Sequence, residues 1–246
     1  MFPPMPAAAP SLPDNLRLYV IGDIHGRVDL LTPLLEKIDR DAKKSKAKTR
    51  KIFLGDYVDR GLYSRQVIDH LIDLRAKEPE PPVFLLGNHE QVMRELLHGR
   101  DGGLLADWLR FGGRETLLSY GVSSAELAKE PAAVIAALRE KIAPSHIDFI
   151  EKLETSAVFG DYFFCHAGVR PGIDLAKQAE QDLVWIRYDF LAHAKPFGKM
   201  VVHGHTISPQ PEFRTNRINI DTGAYATGCL TALGLEGKKQ WLLQTK

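Results

Sequence analysis

The chain has 246 residues, of which 26% are charged and 44% hydrophobic, and a formal net charge of +1. This near-neutral charge gives no basic surface for nucleic acid or an anionic membrane, and no apolar run approaches the roughly 20 residues of a membrane-spanning helix. The two cysteines, Cys165 and Cys229, lack CxxC spacing and fit a reducing compartment, so we expect a cytoplasmic protein with neither membrane nor nucleic-acid partners.

The N-terminal half alternates predicted strands with helical patterns. The Pro/Ala-rich residues 1–15 are predicted to be a disordered tail, and residues 16–246 to form one domain. The strand candidates are LRLYVI (16–21), KIFL (51–54) and PVFLL (82–86). Strand–helix alternation of this kind predicts an α/β fold with an at least partly parallel sheet.

The C-terminal half begins with short helical patterns and then returns to strands. Glycines and prolines divide residues from about 100 to 154, which we interpret as a helical insertion in the domain. The strand candidates that follow are SAVFG (156–160), YFFC (162–165), KMVV (199–202), RINI (217–220) and CLTALGLEG (229–237). Because no long helix separates the last three, we expect them to be antiparallel neighbours.

Five strand candidates end in loops of glycine and polar residues. The loops are GDIHG (22–26), GDYVDRG (55–61), GNHE (87–90), HAG (166–168) and HGH (203–205). Since ligands of open α/β sheets bind at the carboxyl ends of the strands, we expect these loops to meet at one crevice. They supply Asp23, His25, Asp56, Asp59, Arg60, Asn88, His89, His166, His203 and His205.

The chemistry of this residue set indicates metal binding. Carboxylates, imidazoles and an amide oxygen, with no cysteine, suit Mn²⁺, Fe or Zn²⁺. They outnumber the needs of one ion, and a pair of ions requires a bridging carboxylate. Two divalent metals beside arginines make a site for phosphoester hydrolysis.

The ordered motifs resemble those of the PPP-type serine/threonine phosphatases of bacteria and phages, within the calcineurin-like metallophosphoesterase superfamily. The likeness covers roughly residues 16–235, and GDYVDRG together with GNHE is typical of the PPP branch. The resemblance implies a central β-sandwich flanked by helices. It also implies metal-dependent hydrolysis of phosphomonoesters, foremost phosphoserine and phosphothreonine in proteins.

The resemblance also implies a role for each matching residue. Asp23 and His25 would bind the first metal, Asp56 would bridge both metals, and Asn88, His166 and His205 would complete the second. His89 would be the general acid, held by Asp59, while Arg60 and Arg187 (in VWIRYD, 184–189) would clamp the phosphate. His203 has no counterpart in the motif and is predicted to orient a ligand or to pack.

Two cations, Mn²⁺ foremost with Fe or Zn²⁺ as alternatives, would generate a bridging hydroxide that attacks phosphorus directly. An alternative function is hydrolysis of a dinucleoside polyphosphate such as diadenosine tetraphosphate, because related enzymes share nearly the same motifs. The groove formed by the 100–154 insertion and the 206–217 loop would decide between the two. Outside the motifs, Trp108 and Phe111 are predicted to pack, and IDTGA (220–224) is given no chemical role.

Overall fold

The computed structural model describes residues 9–246 of the chain. The strands in this range are β1 Leu16–Ile21, β2 Lys48–Phe53, β3 Val83–Phe84, β4 Ser156–Phe159, β5 Tyr162–Cys165, β6 Met200–His203, β7 Glu212–Phe213, β8 Arg217–Asn219, β9 Thr231–Glu236 and β10 Lys239–Gln244. The α-helices are α1 Val28–Ala42, α2 Ser64–Lys77, α3 Asn88–Leu97, α4 Leu104–Trp108, α5 Arg114–Ser119, α6 Ser124–Leu127, α7 Pro131–Lys141, α8 Pro144–Glu151, α9 Glu180–Trp185, α10 Tyr188–Leu191 and α11 Ala224–Thr227. Across residues 9–246, the helices are all too short or too polar to cross a membrane.

The strands form two five-stranded mixed sheets. The first has the order β10-β9-β1-β2-β3, in which β1, β2 and β3 are parallel and β9 is antiparallel to both β1 and β10. The second has the order β4-β5-β6-β8-β7, in which β5, β6 and β8 are parallel. The expectation that the last three strand candidates are antiparallel neighbours is wrong. β6 and β8 are parallel, because β7 lies between them in the chain and pairs antiparallel with β8. β8 and β9 lie in different sheets.

Apolar side chains fill the space between the two sheets. Leu18 of β1 and Ile52 of β2 pack in one cluster with Phe164 of β5 and Val202 of β6, all of them buried. Each such side chain stabilises the fold by about 1.5–3 kcal/mol. The opposite faces of the two sheets pack on helices, with α1, α2 and α3 against the first sheet and α9 and α10 against the second. The predicted α/β fold, a central β-sandwich flanked by helices, is confirmed.

Residues shortly before residue 16 pack against the sandwich. Leu12 is 4% exposed and packs in the cluster between the sheets. Its amide donates to the carbonyl of Gly237 at 2.9 Å, and the amide of Asp161 donates to Ser11 at 3.0 Å. The tail predicted for residues 1–15 is therefore held against the sandwich at residues 11 and 12, while residues 1–8 lie outside the described part of the chain.

Candidate metal centre

The loops after β1, β2, β3, β5 and β6 bring the predicted metal ligands together at one edge of the sandwich. The ligands are Asp23, His25, Asp56, Asn88, His166 and His205, each no more than 7% exposed. Asp56 lies at the centre of this group. One of its carboxylate oxygens is 3.4 Å from Nε2 of His25 and the other is 3.4 Å from Nε2 of His166.

The backbone at this edge is strained. Among residues 9–246, six non-glycine residues have positive φ, and five of them are predicted site residues. These five are His25, Asp56, Asp59, Arg60 and His205. A non-glycine residue in this conformation costs about 1–3 kcal/mol, and such strain clusters at functional sites where the surrounding structure enforces it.

Glu90 of the GNHE motif holds the strained loop after β2. Its buried carboxylate accepts hydrogen bonds from the amides of Asp56 at 2.9 Å, Tyr57 at 2.8 Å and Val58 at 3.0 Å. The amide of Gly87 donates to the same group at 3.2 Å. The motif alone predicts no role for Glu90, because four amides from two loops converge on it only in the folded chain.

Two groups of side chains could each hold an ion. The first is His25, Asp56 and His89, the second is Asp56, His166 and His205, and the candidate ligand atoms within each lie within 4.8 Å of one another. Asp56 belongs to both groups, as a bridging ligand must. The first group contains His89, whereas the family resemblance implies Asp23 as the ligand at that position.

The tautomers of the histidines suit metal binding. Nδ1 of His25 donates to the carbonyl of Val58 at 2.8 Å, and Nδ1 of His166 to the carbonyl of Leu54 at 2.9 Å. Each Nε2 is therefore directed towards Asp56, with the outer nitrogen fixed as in many metal sites. Burial lowers the pKa of both rings, and it lowers the pKa of His205 to about 2, so the imidazoles are neutral as ligation requires.

Two buried polar atoms at the centre lack a hydrogen-bond partner among the described residues. Oδ1 of Asp23 and Nε2 of His205 are buried without a hydrogen bond to any residue the structure describes. Burial raises the pKa of Asp23, and the carboxylates of Asp221 and Asp56 raise it further. Because a divalent cation would satisfy these atoms and offset this negative charge, the donor set fits a pair of metal ions.

Asp221 adds a further carboxylate near the predicted ligands. It lies within IDTGA, which was given no chemical role, yet, beyond the effect of burial, its negative charge raises the pKa of Asp23. Burial raises the pKa of Asp221 to about 6. Its position after β8, beside the β6 loop, is the signal that could have identified it.

The two histidines of the HGH loop separate in space. His205 contributes Nδ1 at 3.2 Å from Nε2 of His166, which is also 3.0 Å from Oδ1 of Asn88. His203 is fully buried, and its ring packs edge-on against that of Phe190 with 4.9 Å between the ring centroids. This contact lies on the helix-covered face of the second sheet. The structure thus brings His205, and not His203, into the group of candidate ligands.

We expect His205→Ala to lose metal and His203→Ala to retain it. Loss of an outer partner typically weakens metal binding by about 10–100-fold, and loss of a direct ligand by at least as much. Metal content after dialysis, measured by atomic emission, checks this. A His203→Ala protein that loses metal while His205→Ala keeps it would reverse the assignment.

Asp59 and His89 form a buried pair. Nδ1 of His89 is 2.5 Å from Oδ2 of Asp59, and Asp59 also accepts from Oγ1 of Thr116 at 2.6 Å. Burial alone would lower the pKa of His89, but Asp56 and Asp59 raise it to about 9. The ring is therefore fixed through Nδ1, and Nε2 lies 3.3 Å from the guanidinium of Arg60.

Trp108 does more than the predicted packing. Its Nε1 donates to Oδ2 of Asp59 at 2.6 Å, so the helical insertion supports the pair formed by Asp59 and His89. A Cβ on Gly113 would lie 2.3 Å from the indole of Trp108, so only glycine fits there. Gly112, with φ 111°, accepts from the amide of Arg60 at 3.0 Å. These glycines lie in the turn Leu109–Gly113, where the left-handed backbone of Gly112 separates α4 from α5.

Arg60 and Arg187 lie in one cleft with two other predicted site residues. Together with Asn88 and His89 they line a cleft of about 390 Å³. The guanidinium of Arg60 stacks over the ring of Tyr225, 4.6 Å from its centroid. Two guanidinium groups in one cleft can bind phosphate oxygens.

The chain belongs to the calcineurin-like phosphoesterase family, whose model matches residues 16–230. It is 28% identical over 244 residues to the asymmetrical bis(5′-nucleosyl)-tetraphosphatase PrpE of Bacillus mycoides, with 89% of this chain and 90% of that protein covered. It is 31% identical over 185 residues to a Schizosaccharomyces pombe protein provisionally named a serine/threonine-protein phosphatase, with 75% and 48% covered. A solved structure provisionally named a diadenosine tetraphosphatase superposes with a TM-score of 0.61 at 18% identity, covering 98% of this chain and 96% of that one, and shows the shared fold.

Proposed function

We propose that this member of the calcineurin-like phosphoesterase family hydrolyses dinucleoside polyphosphates of the diadenosine tetraphosphate type. The observation that carries the proposal is the match to the Bacillus mycoides tetraphosphatase over about nine tenths of both chains, 89% and 90%. The match to the Schizosaccharomyces pombe phosphatase covers only 48% of that protein. Hydrolysis of dinucleoside polyphosphates, the alternative function, thus has better support than hydrolysis of phosphoserine and phosphothreonine in proteins, the main interpretation of the sequence.

The candidate centre has the groups that this hydrolysis needs. Asp23, His25, Asp56, Asn88, His166 and His205 would hold two divalent cations, foremost Mn²⁺. When bound, such ions activate water and offset the negative charge of the phosphate oxygens. The planar guanidinium groups of Arg60 and Arg187 would each bind two phosphate oxygens and fix the substrate beside the centre.

His89 would act as the general acid. Asp59 occupies Nδ1 of His89, so the proton available to a substrate is the one on Nε2. That nitrogen lies 3.3 Å from the guanidinium of Arg60, and both residues line the cleft. His89 would donate this proton to the oxygen of the leaving nucleotide, and Asp59 would stabilise the imidazolium before the transfer.

Hydrolysis of phosphoserine or phosphothreonine in proteins is the second candidate. The PPP-type motifs and the 31% identity to the Schizosaccharomyces pombe protein favour it. The same groups would serve, but the leaving alkoxide of a serine is more basic than a nucleotide phosphate. A protein phosphatase would therefore depend more strongly on the proton from His89.

A substrate panel separates the two candidates. We expect kcat/KM for diadenosine tetraphosphate to exceed that for phosphoserine and phosphothreonine peptides by at least about tenfold, the discrimination that one well-filled pocket can provide. Chelation should remove the activity, and Mn²⁺ should restore it more fully than Fe²⁺ or Zn²⁺. Higher kcat/KM for the peptides would favour the second candidate, and activity that survives complete chelation would contradict both.

A further inference from the structure

Two chemically different kinds of side chain line the cleft beside His89. One kind binds anions: the guanidinium groups of Arg60 and Arg187 and the imidazole of His89. The other kind is aromatic: Trp108, Phe111 and Trp185. The volume of about 390 Å³ lies within the range of small-molecule binding sites. A ligand that fits this cleft combines an anionic group with a flat apolar group.

Trp185 is held in place by hydrogen bonds and remains partly exposed. Its Nε1 donates to Oε1 of Gln91 at 2.6 Å, and Nε2 of Gln91 donates to Glu180 at 2.8 Å. Arg94 also donates to Glu180, at 2.6 Å. The polar edge of the indole is therefore satisfied by the protein, while the side chain remains 38% exposed. A fixed and partly exposed aromatic ring is a platform for stacking, at little cost in conformational entropy.

Phe111 faces solvent at the mouth of the same cleft. It is 60% exposed, although burial of a phenylalanine is normally favourable. The turn Leu109–Gly113 holds it there, since Gly112 accepts from the amide of Arg60 and Gly113 contacts the buried Trp108. The turn that fixes Arg60 thus also places an unburied aromatic ring in the same cleft as Arg60.

We propose that the two exposed aromatic rings of the cleft, Trp185 and Phe111, bind a nucleobase of the substrate on the leaving-group side of the bond that is cleaved. The inference rests on the proposed function, and it adds the position of one nucleoside. The leaving-group side is assigned because His89, the candidate general acid, lines the same cleft. Stacking on aromatic rings accepts any base, because every base has a π-face.

The base is recognised mainly by its shape. Among the described residues that line this cleft, Asp107 is the one that carries a carboxylate. Its Oδ1 forms a surface ion pair with Nη1 of Arg110 at 3.8 Å. A single exposed carboxylate can accept from an amino group of adenine or guanine but cannot define a base alone. We therefore expect diadenosine and diguanosine tetraphosphates to be cleaved with similar kcat/KM.

The test compares two substrates that differ in their bases. Diadenosine tetraphosphate and inorganic tripolyphosphate both contain phosphoanhydrides, but only the first has a base. In Phe111→Ala and in Trp185→Ala, the ratio of kcat/KM for the first to that for the second should fall about tenfold, as expected for loss of one stacked base. Trp185→Phe should retain most of the ratio. Phe213→Ala, which removes an aromatic ring 47% exposed on β7 and outside this cleft, is the matched control.

Equal losses on both substrates, or no loss on either, would overturn the inference. A second readout keeps it separate from the proposed function: binding of AMP, followed by quenching of tryptophan fluorescence. If the wild-type protein does not hydrolyse diadenosine tetraphosphate but binds AMP, and Phe111→Ala weakens that binding about tenfold, the proposed function fails and the base site stands. If the same variants instead reduce hydrolysis of a phosphotyrosine peptide and leave AMP binding unchanged, an aromatic ring of a protein substrate occupies the cleft, and the nucleobase assignment is wrong.

Discussion

Replacement of Asp56 by asparagine is expected to abolish phosphoester hydrolysis and to weaken the binding of both metal ions. Asp56 is common to the two candidate ligand groups, and its two carboxylate oxygens lie 3.4 Å from Nε2 of His25 and of His166. Asparagine keeps one oxygen and loses the charge, so it cannot bridge two cations. Because metal stabilisation of the transition state is worth several kcal/mol, we expect kcat to fall by at least about 10³-fold.

The measurement pairs kcat with metal content per chain. The amide oxygen of the introduced asparagine could still accept from the backbone amide of His89, as Oδ1 of Asp56 does at 3.2 Å, so thermal unfolding without metal should change little. Asp73→Asn is the matched control, because that side chain is 71% exposed and forms only a surface ion pair with Lys77. An Asp56→Asn protein with two bound metals and normal turnover would show that another residue bridges the ions.

The meeting of the site residues could be predicted from the sequence because each of them lies in a loop after a predicted strand, whereas the choice of six metal ligands among them was implied by the family resemblance. Asp23 and Asp56 each come after a glycine that lies beyond the end of β1 or β2, and His166 follows β5 directly. The carboxyl ends of these neighbouring strands lie at one edge of the sandwich, so position along the strand determined position in space. Local sequence and tertiary position agree at these residues.

Trp108 could not be assigned in this way. The contact of Trp108 with Asp59 spans 49 residues and depends on the turn Leu109–Gly113 that bends the insertion back towards the site. An apolar residue in a helical pattern fits a core position equally well, and the Gly112–Gly113 pair was the only local cue. Asp221, in contrast, follows a predicted strand as the ligands do, and it approaches Asp23 because β8 joins the second sheet beside β6.

The pairing of the strands was also beyond the sequence. β5 (YFFC) is buried at every position, because helices cover one face of its sheet and the other sheet covers the opposite face. Such a strand shows no alternation of polar and apolar residues, so its sequence does not reveal which sheet it enters or its direction. The sandwich itself was therefore expected from the family resemblance, and not from periodicity.

His89→Asn is expected to reduce kcat by about 10²–10⁴-fold on alkyl phosphates, the usual contribution of a general acid. The loss should be smaller on p-nitrophenyl phosphate and on diadenosine tetraphosphate, because their leaving groups need less protonation. The geometry supports this role. Oδ2 of Asp59 lies 2.5 Å from Nδ1 of His89 and fixes the ring, and His89 lines the same cleft as Arg60 and Arg187. His98→Asn, which changes an exposed histidine paired with Glu151, is the matched control.

Metal content decides between the two roles that the geometry allows for His89. The ring belongs to one candidate ligand group with His25 and Asp56, and its Nε2 is 3.9 Å from Oδ2 of Asp56. A general acid can be removed without loss of metal, whereas a ligand cannot, so His89→Asn should retain both ions while its kcat falls. Equal losses of kcat on alkyl and aryl phosphates, together with loss of one ion, would make His89 a metal ligand. Another residue of the cleft would then have to donate the proton.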